Sequence, residues 1–147
     1  MSRMADLTLL GFDDLNQAFN RIGDIPWEVT DKALQAMASV EKDKVREQGE
    51  ALGVRDPESS VHILDHIKVN KSKKTDSGGR ADVTFSGTRT RGNTTTRNAE
   101  IAFINEFGDR KQRARPFVKN AAENFADEVV EPGEKIIGDW IENEWGK

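Results

Sequence analysis

The sequence predicts an α+β fold in a single domain spanning residues 1–147: a small twisted, mainly antiparallel sheet packed against a long helix in the N-terminal half and a long, kinked C-terminal helix. Three observations lead there. From Trp27 to about Leu52, the residues Leu34, Met37, Ala38, Val45 and Leu52 fall on one stripe with helical spacing. From Pro116 to about residue 146, Val118, Ala122, Phe125, Val129, Ile136 and Trp140 recur along another. Between these helices, Ile63–Val69 and Ala81–Phe85 read as a pair of strands.

Taken in chain order, Leu7–Leu10 is short, apolar and stopped by Gly11, which predicts an edge strand. Asp13 or Asp14 then caps a short amphipathic helix to about Ile22, with Phe12, Leu15, Phe19 and Ile22 on one face and Gly23 ending it. Pro26 suits the entry to the long helix, Gly53 its stop, and Asp56-Pro57 a turn. Between the two central strands, "KSKKTDSGG" predicts a loose basic hairpin loop. "SGTRTRGNTTTRN", residues 86–98, has almost no apolar side chain to give a core and reads as a mobile loop or a long exposed hairpin. "AEIAFINEF", residues 99–107, permits two readings: its alternation fits a strand, while Ile101, Ile104 and Phe107 share a helical face. In the last helix Pro132 removes a backbone donor and crowds the preceding turn, predicting a kink or break near Glu131.

Composition excludes several classes. There is no cysteine, hence no disulfide framework and no thiolate metal site. No stretch approaches the roughly 18 apolar residues of a membrane span, and the opening "MSRMADLTLLGFDD" lacks the apolar run of a secretory signal, so a protein that is cytosolic when made is expected. About a third of the residues are charged and about a third apolar, a lean core of the kind often completed in an oligomer. The net charge of −4 conceals a split between a basic middle, Lys68 to Arg97, and an acidic tail after Phe117.

Candidate chemistry is sparse. His62 and His66 stand four apart, a metal-ligand spacing on a helix, but on a strand they would lie about 13 Å apart. Asp82, Glu100, Glu106, Asp109 and Lys111 have the residue types of a Mg²⁺-dependent nuclease, without a spacing that makes them converge. Lys68, Lys71, Lys73, Lys74, Arg80, Arg89, Arg91 and Arg97 have the charge to meet phosphates but lack interleaved aromatics. Trp140 and Trp145 fit core or interface anchors. No catalytic triad, phosphate-binding loop or dinucleotide turn is present, so no enzyme, cofactor or metal is expected.

The most informative stretch is "NEFGDRKQRARPF", residues 105–117. Gly108 is suited to end one element and Pro116 to begin the next, with Phe107 and Phe117 expected to fold back into the core. Arg110, Lys111, Arg113 and Arg115 are then displayed from a braced turn, with Arg113 and Arg115 placed to pair with a neighbouring acidic helix.

This segment, with Glu106-Phe107-Gly108 and Ala114-Arg115-Pro116-Phe117 as its signature, resembles the tail completion or head-to-tail joining proteins of long-tailed phages, the gene-product-10-like tail component. The order of elements is similar too, including "GFDDL" at Gly11–Leu15. The chain departs from that pattern at "SSVHILDHI", which lacks a turn glycine, and at Asp109-Arg110-Lys111. The resemblance implies a non-enzymatic virion protein, made in the host cytoplasm, that forms a ring, commonly a hexamer, at the top of the tail. It would meet the tail tube protein on one side and the neck, stopper or connector protein on the other, with DNA passing through the channel. Candidate interface residues are Arg89, Arg91, Arg97, Arg113, Arg115, Trp140 and Trp145. A different class of reading, a small nucleic-acid-binding protein using the basic loops, stands as the alternative.

Overall fold

Pro26 opens the helix around which the rest is arranged. In the computed structural model, which describes residues 6–8, 25–54, 62–76 and 78–145, this helix, α1, spans Trp27–Ala51. Its first amides are turned back by Pro26, whose carbonyl accepts from Val29 and Thr30 at 3.0 and 3.2 Å. Its end is closed by two crossed bonds, Gly53 N–H to the Glu50 carbonyl at 3.2 Å and Val54 N–H to the Gly49 carbonyl at 2.8 Å. That pair satisfies carbonyls that would otherwise be orphaned and buries Val54 under the helix end. Of the expected stripe, Leu34, Met37, Ala38 and Val45 are all but inaccessible to solvent, with Ala33 beside them, while Leu52, past the helix end, is half-buried.

The strands are β1 (Asp6–Thr8), β2 (Ile67–Val69), β3 (Lys73–Thr75), β4 (Gly78–Arg80), β5 (Asp82–Phe85), β6 (Thr88–Arg91) and β7 (Thr94–Arg97). β5 is the centre of a three-stranded antiparallel sheet in the order β1-β5-β2, with Ile67 opposite Phe85, Val69 opposite Val83, and Leu7 opposite Val83 on the other side. All four β5 residues are buried, the alternating polar positions Asp82 and Thr84 included, because besides its neighbours in the sheet the strand is packed by α1, by the helix that begins at Asn98 and by the turn at residues 63–66. Asp82 Oδ2 accepts from Arg80 Nη2 at 2.7 Å.

Several expectations are refined here. The predicted strand Ile63–Val69 is half realised: Ile63–His66 forms a 3-10 turn that buries Ile63 and Leu64, and the strand begins only at Ile67. The basic loop after it is a second hairpin, β3-β4, in register Lys73 to Arg80. Within residues 86–98, Thr88–Arg97 takes the exposed-hairpin form, β6-β7, with Thr90 and Thr95 hydroxyls 3.0 Å apart across it. The predicted edge strand is present as β1, while Leu9, Leu10, the helix expected to Ile22, the Asp56-Pro57 turn and residues 59–61 lie outside the described residues.

Residues 99–107 are helical rather than extended: α2 spans Asn98–Phe107 and follows β7 with no intervening residue. The C-terminal half holds α3 (Phe117–Asn124) and α4 (Ala126–Trp145). The C-terminal helical run is interrupted at Phe125, whose φ of −125° and ψ of 19° depart from the helix, and of the break or kink expected near Glu131 there is no break, α4 running through Pro132 as one helix. At the break, Lys44 of α1 places its ammonium 4.8 Å from the centre of the Phe125 ring and 2.8 Å from a Glu128 oxygen, joining α1 to both sides of the bend. About two turns beyond the break, Gly133 lets α4 close directly on Met37, where any β-carbon would collide with the thioether. Among the described residues no helix is long and apolar enough to cross a membrane.

Glu41 continues the buried stripe of α1 and is 4% exposed. Burial pushes its carboxyl up from 4.5 to about 7. The native state therefore binds this proton more tightly than the unfolded chain. Its stabilising contribution is complete below pH 4.5 and is lost as the pH rises through about 7. Glu41→Gln should flatten the stability profile across that window and raise stability at about pH 8 by up to ~3 kcal/mol, measured by urea denaturation at several pH values; an unchanged profile would show that Glu41 does not titrate there.

Candidate functional site

The connection from α2 to α3 is built from its buried polar residues outward. Asn98, Ala99, Ala102, Asn105 and Glu106 form the inward face of α2. Glu106, 6% exposed, sends both carboxylate oxygens across the turn: Oε2 accepts from Val118 N–H at 2.8 Å and Oε1 from Lys119 N–H at 3.0 Å. These are amides of the first turn of α3, which have no carbonyl partner within the helix, and the residue before it, Pro116, has no side chain able to cap them. A negative group at that position also meets the positive end of the helix dipole.

Asn105 holds the turn from the other side. Its carbonyl accepts from Arg115 N–H at 2.6 Å, its Oδ1 accepts from Gln112 Nε2 at 2.8 Å and from Arg115 Nη1 at 3.4 Å, and its Nδ2 donates to the Ile101 carbonyl at 2.9 Å. Gly108 leaves the helix at φ 77°, with its N–H on the Ile104 carbonyl at 2.7 Å, and a β-carbon there would lie 2.8 Å from the Ala114 nitrogen. At Pro116, φ −76° and ψ 64° with Phe117 N–H on the Arg115 carbonyl at 2.7 Å make an inverse γ-turn. That turn delivers Phe117, fully buried, edge-on to Phe85 with ring centres 5.8 Å apart.

Phe107 behaves otherwise than expected. It does not fold into the core but is 63% exposed, its ring tilted 48° against that of Phe103 with centres 4.7 Å apart, and Ile104 beside it is 37% exposed. The reason lies in the inward face: Asn98, Asn105 and Glu106 are needed below to bond the hairpin base and the turn, so the aromatic side of α2 is left to solvent. Helical spacing correctly groups Ile104 with Phe107 but carries no information on which side faces the core.

The other candidates are dispersed. On β6, Arg89 and Arg91 alternate onto one face of the hairpin, while Arg97, opposite Thr88, lies on the other. The length of α2, ~15 Å, separates Arg97 from the turn at the far end. Arg115 is half-buried and turned onto Asn105, whereas Arg113 is exposed. Trp140 is half-buried on α4, and Trp145 ends that helix with its side chain outside the described residues. Asp82 sits on β5 and Glu106 caps α3, while Glu100 and Asp109 are exposed; among the described residues no three His, Asp or Glu side chains gather as a metal would require. Sequence reasoning missed Asn105 and Phe103 at the turn.

Comparison of the chain with protein-family models, with curated proteins and with solved structures yields no match.

Glu106→Ala should remove both caps at once and cost ~3 kcal/mol or more, with Glu106→Gln retaining part of the stability through its single carbonyl oxygen. Gly108→Ala meets both a positive φ and backbone crowding and should cost more than ~1 kcal/mol. Urea midpoints of the three variants check the order; a Glu106→Ala variant as stable as wild type would show that the caps are unimportant.

Proposed function

We propose that the chain is a non-enzymatic structural component of a phage or phage-derived tail, a ring-forming subunit that completes the tail and joins it to the neck. The observation that carries this reading is the inverted helix α2, which buries its amides and carboxylate and offers Ile104 and Phe107 to solvent, with Phe103 half-buried beneath Phe107, beside a basic turn. Exposed aromatic clusters fixed on a rigid element have the chemistry of an interface core. The "EFG" and "ARPF" ends of the turn, which carry the family resemblance, have clear physical duties: cap, turn glycine, γ-turn proline and buried aromatic. In this reading the tail tube protein and the neck or connector protein occupy opposite sides of the ring, the virion is the site of action, and assembly takes place in the host cytoplasm.

The β6-β7 hairpin is the second contact element. Its side chains are mostly exposed, so partner binding is where they would gain contacts. Electron microscopy of particles carrying this protein with a label at its end should find a ring at the head-proximal end of the tail. Replacing residues 88–97 by a short Gly-Ser turn should lower the yield of joined particles at least about tenfold. Label at another location, or full joining without the hairpin, would overturn the corresponding part of the reading. Arg89 and Arg91 on one hairpin face favour a second reading, nucleic-acid binding. That reading requires affinity for duplex DNA to fall steeply between about 50 and 200 mM salt.

A further inference from the structure

Two surface features of the chain are complementary and lie apart. One is the apolar face of α2, with the Phe103–Phe107 stack and Ile104, followed by Arg110 and Arg113, both exposed and neither held in an ion pair among the described residues. The other is an open depression of about 660 Å³ between α1 and α4, lined by Val40, Glu131, Pro132, Glu134 and Lys135. It lies beside the contact where Gly133 brings α4 down on Met37, and its apolar part, Val40 and Pro132, is rimmed by two exposed glutamates against one lysine.

We infer that the α2 face of one copy docks in the α1-α4 depression of a second copy, Phe107 entering between Val40 and Pro132 and Arg110 and Arg113 pairing with Glu131 and Glu134. The inference rests on the ring reading above and specifies its subunit contact. The two surfaces are carried by different elements: α2 packs chiefly on the 3-10 turn, β5, β7 and α3, whereas the depression belongs to α1 and α4. The contact is therefore head to tail, and repetition closes a ring when the rotation permits. Both halves of the charge match are present on a single chain, which identifies the occupant as another copy. The aromatic pair supplies the anchor and the arginines fix its orientation.

The test is sedimentation equilibrium on the whole chain. Wild type should self-associate, and Phe107→Asp should weaken the association at least about tenfold. The charge reversals Arg110→Glu with Arg113→Glu, and separately Glu131→Lys with Glu134→Lys, should each abolish assembly alone. Mixed in equal amounts they should assemble again, alternating and therefore in even-numbered rings, because each glutamate-bearing turn meets a lysine-bearing rim. Circular dichroism should show all variants folded, since the substituted side chains are exposed. A wild-type assembly insensitive to these substitutions, or a mixture that fails to recover, overturns the inference while leaving the ring reading standing. A wild-type chain that stays monomeric, with Phe107 protected only when tail tube protein is added, also overturns it, and assigns the α2 face to that partner. Absence of the protein from tails would instead remove the tail reading itself, whatever the oligomeric state.

Discussion

The bond pair from Glu106 to the first turn of α3 is the constraint on which the C-terminal half depends. It spans a dozen residues of chain, fixes α3 relative to α2, and supplies acceptors to amides that Pro116 cannot serve. Each hydrogen bond to a charged group contributes ~1.5–3 kcal/mol, a large share of the marginal stability of a domain this size. With α3 so placed, Phe117 reaches Phe85 of the central strand, and the chain then bends at Phe125 to lay α4 along α1. Without the cap, the aromatic contact and the bend would have no fixed origin.

That constraint also decides the surface. A ten-residue helix has few positions facing any one way, and α2 uses its inward ones for Asn98, Asn105 and Glu106, with Ala99 and Ala102 keeping the approach close. The larger apolar residues must go elsewhere. Their exposure follows from the polar construction beneath them, and the exposed aromatic stack and the exposed arginines of the turn are neighbours because one carboxylate and one amide side chain hold both in place.

Much of this is legible in the sequence. The bounds of α1 follow from Pro26 and Gly53, the pairing of β2 with β5 from two alternating runs, and the role of Gly108 and Pro116 from their backbone chemistry. What escapes is non-local. A carboxylate capping a helix that starts eleven residues later has no periodic signature, and helical spacing cannot tell an inward face from an outward one. Proline is the strongest local signal in the C-terminal half and points to Pro132, but the helical run is interrupted at Phe125, beside Lys44 and Glu128, a contact with α1 that no local pattern announces. Glu41 does leave a trace: the stripe Leu34, Met37, Ala38, Val45 skips a turn, and the residue filling that turn is a buried acid.

The join between β7 and α2 has a mechanical consequence. Asn98 follows Arg97 with no connecting residue; its N–H donates to the Gly87 carbonyl at 3.0 Å and its Nδ2 to the Ser86 carbonyl at 2.8 Å, so the first residue of the helix grips the two residues leading into the hairpin while continuing its exit strand. No slack remains at the base. The root of the hairpin is therefore set by the same helix that bears Glu106 and Phe107, and the direction in which the hairpin leaves the fold is fixed at Asn98.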